Sequence, residues 1–102
     1  DRLAVRPAGR PVRERPDWVC EILSPSTARR DLVEKSRALQ VAGVPHYWIL
    51  DPEREVLTVY RNIGTAWVVA LTAGAGEVVR AEPFDAIEMA VSVLFGHDPD
   101  GD

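Results

Sequence analysis

Apolar residues along this chain gather in short runs divided by breakers. "DWVCEIL" (Asp17–Leu23) is compact and apolar and meets "SPS" at once, which predicts a strand. Ser26 or Thr27 is placed to cap a helix running to about Ala42, and Gly43 supplies its stop. "HYWIL" reads as a second, more fully apolar strand. "DPERE" is a turn with proline at its second position, leading into "VLTVYR". "NIGT" and "AGAG" then set "AWVVALT" apart from "EVVRA", the pattern of an antiparallel meander. After "EPFD", the segment "AIEMAVSVLFG" fits either a strand or a short helix.

The order strand, helix, strand, meander predicts an α/β chain with a mixed (α+β) sheet, opened by a parallel pair with a helical crossover. Residues 1–16, rich in Arg, Pro and Gly, read as an irregular arm or the remnant of an upstream strand. Residues 17–96 form the single domain, and 97–102 ("HDPDGD") a frayed polar tail. Nothing regular precedes Trp18, and the chain starts at Asp1 without methionine, so a truncated or processed product is expected.

Two polar residues stand against this pattern. In the first strand, period two puts Asp17, Val19 and Glu21 on one face and Trp18, Cys20 and Ile22 on the other. A carboxylate within such a strand carries a desolvation cost unless a cation or donor meets it. In the helix, with Leu32 at zero, Ala28, Leu39 and Ala42 fall at roughly −40°, −20° and −80°. Lys35, the only lysine of the chain, falls at roughly −60°, within that stripe. It either snorkels past the core edge to water or meets an acid. The helix returns over the sheet, so Lys35 is expected above the strand end that carries Glu21. Such a pair is either structural or the half of a site that holds a divalent cation beside an ammonium positioning water.

Composition narrows the classes. Of 102 residues, 46% are hydrophobic and 27% charged, the balance of a globular chain with one modest core. No apolar run approaches the roughly 18 residues of a membrane span, so no membrane partner is expected. The single Cys20 forms no internal disulfide and suits a reducing, cytoplasmic setting. Net charge is −4, but unevenly spread: residues 1–50 hold nine Lys and Arg against six acids, and residues 51–102 three against ten. A polyanion should meet the first half, although a chance split of solvated charges gives the same numbers.

Other features read as structural. Cys20 lies on the hydrophobic strand face, and no third group orients it with His46 as a nucleophile. His46 and His97 are too far apart in sequence to suggest zinc. Trp18, Tyr47, Trp48 and Trp67 fit core packing better than a base-stacking platform. Asp51-Pro52 and Ser24-Pro25-Ser26 are turn chemistry.

The stretch "PDWVCEILSPSTARRDLVEK…AGVPHYWILDP", with "RAEPFDAIEM" more loosely, resembles the Uma-two family of restriction-type endonucleases within the PD-(D/E)XK nuclease superfamily. The resemblance implies a restriction-endonuclease-like core and metal-dependent hydrolysis of DNA. Such nucleases carry an acid on one strand, then an acid and a lysine two residues apart on the next. Glu21 matches the second acid, whereas Leu23 stands where the lysine would be; Lys35 of the helix matches the lysine of this branch. Asp1, in "DRLA", matches the first acid, with Asp17 as the substitute. By this resemblance Asp1, Glu21 and the Ile22 carbonyl would bind Mg²⁺ or Mn²⁺, Lys35 would activate water, and Arg29, Arg30 and Arg37 would contact phosphates. The expected function is a Mg²⁺-dependent DNA endonuclease, acting as a homo-oligomer such as a dimer. Two alternatives stand: a catalytically inactive relic serving as an interaction or assembly module, and a nucleic-acid binder without chemistry.

Overall fold

In a computed structural model, which describes residues 15–26 and 29–97, the first regular element is strand β1 (Trp18–Ile22). Helix α1 (Arg29–Val41) carries the chain back so that β2 (His46–Asp51) lies parallel to β1. Trp18 pairs with His46, Val19 with Tyr47 and Glu21 with Ile49. The expected stop of the helix is present. Gly43 adopts φ 83°, its N–H donates to the Gln40 carbonyl, and the Val44 N–H donates to that of Leu39. These two bonds form a Schellman cap, which needs the left-handed conformation that glycine adopts at little cost.

Strands β3 (Val56–Asn62) and β4 (Trp67–Gly74) extend the sheet antiparallel, in the order β1-β2-β3-β4. The Asp51 carboxylate accepts the Glu53 and Arg54 N–H groups at 3.1 and 3.2 Å, which builds the β2–β3 turn. Asn62 ties the other end of the sheet to α1. Its Nδ2 donates to the carbonyls of Gln40 and Val44, and its Oδ1 accepts the Gly64 N–H at 2.8 Å.

The meander ends earlier than "EVVRA" suggests. Glu77 folds back on Gly74, its Oε2 accepting the Gly74 N–H at 2.8 Å. The chain then leaves the sheet, and β5 (Val78–Val79) pairs with β6 (Met89–Ala90) in a small second sheet. The ambiguous segment is therefore both things, a strand followed by the one-turn helix α2 (Val91–Leu94). Packing explains the departure. Trp48, Leu50, Leu57, Val59 and Ala73 form the sheet face turned away from α1, and Ala81 and Val91 of the C-terminal segment seal it, all at 5% exposure or less. A fifth strand on the edge would have left this face to water. Trp18, Trp48 and Phe84 meet edge-to-face within the same core, and Tyr47 stacks with Tyr60 and Trp67 beneath α1.

His97, expected in the frayed tail, is held by Glu55, Nε2 to Oε2 at 2.6 Å. Residues 98–102, most of the N-terminal arm (1–14) and Thr27 lie outside the described residues. No helix among the described residues is long and apolar enough to cross a membrane.

Candidate active site

Strand alternation points Glu21 toward α1, while Cys20 packs with the core on the far side. Lys35 lies mid-helix on the flank above that strand. Its Nζ donates to Glu21 Oε1 at 2.6 Å, a charge-assisted contact between the two residues that broke the hydrophobic pattern. Lys35 is not buried, however: its side chain is 52% exposed and that of Glu21 22%. The face of α1 turned to the sheet runs through Leu32, Ser36, Leu39 and Gln40, about a sixth of a turn from the stripe drawn through apolar residues alone. Long-range polar contacts set that rotation. The Trp67 Nε1 donates to the Ser36 carbonyl at 2.9 Å, and Gln40 Nε2 donates to the Gly64 carbonyl at 2.8 Å. Lys35 is left on the margin, where its ammonium is wet and still reaches the acid.

Glu21 is felt by its neighbours. Burial, and then the negative charge of Glu21, push the Cys20 thiol up to about 11. The same two causes in that order, with smaller contributions from Tyr60 and Cys20, push the Tyr47 phenol up to about 12. Both groups are therefore protonated at neutral pH, which suits Cys20 to packing and not to nucleophilic attack.

Ile22 closes β1 with its side chain on the opposite face, 61% exposed, and its carbonyl is the candidate ligand. Asp17 lies in a bend just before β1, four residues from Glu21. Asp1 lies outside the described residues. Arg29, Arg30 and Arg37 are exposed on α1, and Arg30 and Arg37 lie on the far flank of the helix from Lys35. Among the described residues no three His, Cys, Asp or Glu side chains form a group able to hold a metal ion. Glu21 with the Ile22 carbonyl is thus an incomplete ligand set for a hard divalent cation, which takes about six oxygens and several carboxylates.

Two further features escaped the sequence reading. A groove of about 500 Å³ opens at the carboxyl ends of the parallel strands, between Leu23–Pro25 and Asp51–Arg54. Open α/β sheets bind ligands at such ends, and Asp51, its oxygens taken up by the turn and by Arg54 (3.4 Å), is a wall of the groove. The second is a cluster on the opposite sheet face, where Glu82 takes Arg61 in a two-pronged contact at 2.7 and 2.8 Å and His46 Nε2 at 3.0 Å. It fastens the C-terminal segment to β2 and β3. The "RAEPFD" stretch contained its acid, but a salt link across the fold has no local signature.

A mixed sheet with a parallel β1–β2 pair thus carries an acid on β1 and a lysine brought to it by the crossover helix. The chain matches the Uma2 family, described as "Putative restriction endonuclease", over residues 2–92, and it belongs to that family. Its fold is similar to that of a solved protein from Anabaena variabilis described as "a putative nuclease belonging to DUF820". The TM-score is 0.61 at 24% identity, covering 81% of this chain and 45% of that one. The chain thus spans somewhat under half the length of that structure. No curated protein matches it.

Proposed function

We propose that this chain carries part or all of the active site of a DNA endonuclease that hydrolyses phosphodiester bonds, with Glu21 and Lys35 at its centre. One observation carries the reading: the 2.6 Å contact between Lys35 and Glu21 in a chain of a restriction-endonuclease family. Lys35, half in water, is placed to hold a water molecule against a phosphate and to offset the negative charge that develops there. Glu21 orients the ammonium through the direct contact. Arg29, Arg30 and Arg37 supply sequence-independent attraction to the backbone.

The proposed cofactor is Mg²⁺ or Mn²⁺, which when bound would polarise the phosphate and acidify water. Glu21 and the Ile22 carbonyl are its candidate ligands in the described residues, and the missing carboxylate is assigned to Asp1 in preference to Asp17. A cytoplasmic setting and a homodimer complete the proposal, the latter because β1 and β4 stand at the edges of the sheet among the described residues.

The ligand set, incomplete among the described residues, favours a second reading, an inactive relic used for assembly. Calorimetric titration of Mg²⁺ and Mn²⁺ into wild type and Glu21→Gln, with supercoiled plasmid incubated alongside, separates the two. Metal binding lost in Glu21→Gln together with nicking by the wild type supports the nuclease. Neither signal, with a stable dimer by sedimentation, supports the relic. Salt-sensitive DNA retention without nicking selects a binder without chemistry.

A further inference from the structure

Between α1 and the sheet lies a cavity of about 210 Å³ lined by Leu32, Val33, Ser36, Tyr47, Ile49, Tyr60 and Trp67. It adjoins the acid–lysine pair, because Ile49 is the cross-strand partner of Glu21 and Leu32 sits one turn before Lys35. Three aromatic rings form its floor, with the Tyr47 centroid 5.5 Å from that of Trp67 and 6.1 Å from that of Tyr60. Tyr47 itself is 1% exposed, and its hydroxyl has no hydrogen-bond partner among the described residues. A buried hydroxyl left in that state costs free energy that a ligand acceptor recovers. Since the phenol stays protonated at neutral pH, it offers a donor.

Charge frames the opening. Around α1 the order is Lys35, Leu32, Ser36, Val33, Arg37, so an apolar window has a cation at either margin. An adjoining groove of about 240 Å³ shares Val33, Ser36 and Trp67 with the cavity and includes Arg37 in its wall. Aromatic floor, flanking cations and one buried donor are the parts by which single strands are gripped, base stacked and backbone paired.

We propose that this cavity receives one unpaired nucleobase of a DNA single strand, with the flanking phosphates directed to Lys35 and Arg37. This rests on the nuclease reading and narrows it: the substrate class becomes DNA with at least one unpaired nucleotide beside the cut. A paired base, locked in its stack, does not reach a ring-sized cavity without the cost of extrusion.

The test compares a labelled thymidine octamer with an abasic octamer of equal charge, by fluorescence anisotropy at low salt. The thymidine strand should bind the wild type at least about fivefold more tightly, the low end for one stacked base. Tyr47→Phe should weaken the thymidine strand alone, by about three- to tenfold. Ile49→Trp, which fills the cavity, should bring the two strands to equal affinity. Should Ile49→Trp fail to fold by circular dichroism, Tyr47→Phe carries the test. Arg37→Ala should weaken both strands alike. Equal binding of the two strands by the wild type, or a preference untouched in Tyr47→Phe and Ile49→Trp, overturns the proposal. Plasmid nicking measured in parallel keeps the readings distinct: nicking without base preference defeats the cavity alone, and base preference without nicking defeats the nuclease alone.

Discussion

Arg61 on β3 and Glu82 in the C-terminal segment meet through two parallel contacts, Nε to Oε2 at 2.8 Å and Nη2 to Oε1 at 2.7 Å. His46 on β2 adds a third at 3.0 Å, and the Trp48 Nε1 donates to the Glu82 carbonyl at 2.8 Å. These contacts hold the cover over the hydrophobic face. The hydrogen bond from Arg61 comes first among the causes that hold the Glu82 carboxyl below its usual range, and partial burial opposes it. A carboxyl lowered in the folded state stabilises it above the unfolded value, near 4.3, and that contribution fades as pH falls toward the lower folded value. Glu82→Gln should therefore lower the melting midpoint by a few degrees at pH 7. The gap to wild type should start to narrow as pH falls below the unfolded value and close once pH passes below the lowered folded value, where the wild-type carboxyl is protonated too. A midpoint difference that stays constant from pH 7 to pH 3 would assign the effect to packing.

Gly43 ends α1 at φ 83°, where a Cβ would find ordinary contacts with Arg15 at 3.7 Å. The cost of Gly43→Ala is therefore one of backbone conformation, about 1 kcal/mol. Urea unfolding should show a lower midpoint at unchanged slope. No loss of stability would mean that the helix ends elsewhere in solution.

Cys20 gives a chemical check on the environment of β1. Its thiol, pushed up to about 11, should react with iodoacetamide at pH 8 roughly a hundredfold more slowly than in the urea-unfolded chain. Equal rates would mean that the strand is open to solvent.

Much of this architecture was legible in local pattern. Proline, glycine and apolar runs located α1 and the first four strands, and the two misplaced polar residues, Glu21 and Lys35, indicated each other. What stayed hidden depends on contacts distant in sequence. Ser36 and Gln40 occupy the inner face of α1, where the Trp67 Nε1 donates to the Ser36 carbonyl and the Gln40 Nε2 donates to Asn62 Oδ1 and the Gly64 carbonyl, and a helical wheel of apolar residues does not contain that information. Val78 and Val79 have a strand-like composition, yet the chain leaves the sheet edge there to cover the apolar face of β2 and β3 with Ala81 and Val91. The Tyr47 hydroxyl is silent in sequence for a simpler reason. An aromatic residue in a strand packs in the core whether or not its polar tip finds a partner.

The exposed position of Lys35 separates function from stability. An ion pair this open to solvent contributes about 1 kcal/mol or less to folding, so Lys35→Ala should melt within a few degrees of wild type. A collapse of stability on that substitution would mark the pair as a structural strut.

The decisive measurement is the single-turnover rate of Mg²⁺-dependent nicking of supercoiled plasmid by wild type, Glu21→Gln, Lys35→Ala and the double variant, each confirmed as folded. Each single substitution should cut the rate by at least about a thousandfold, and the double variant should be no slower than either, as for groups that act as one unit. Undiminished nicking by Glu21→Gln or Lys35→Ala would contradict the central claim that this pair performs the chemistry.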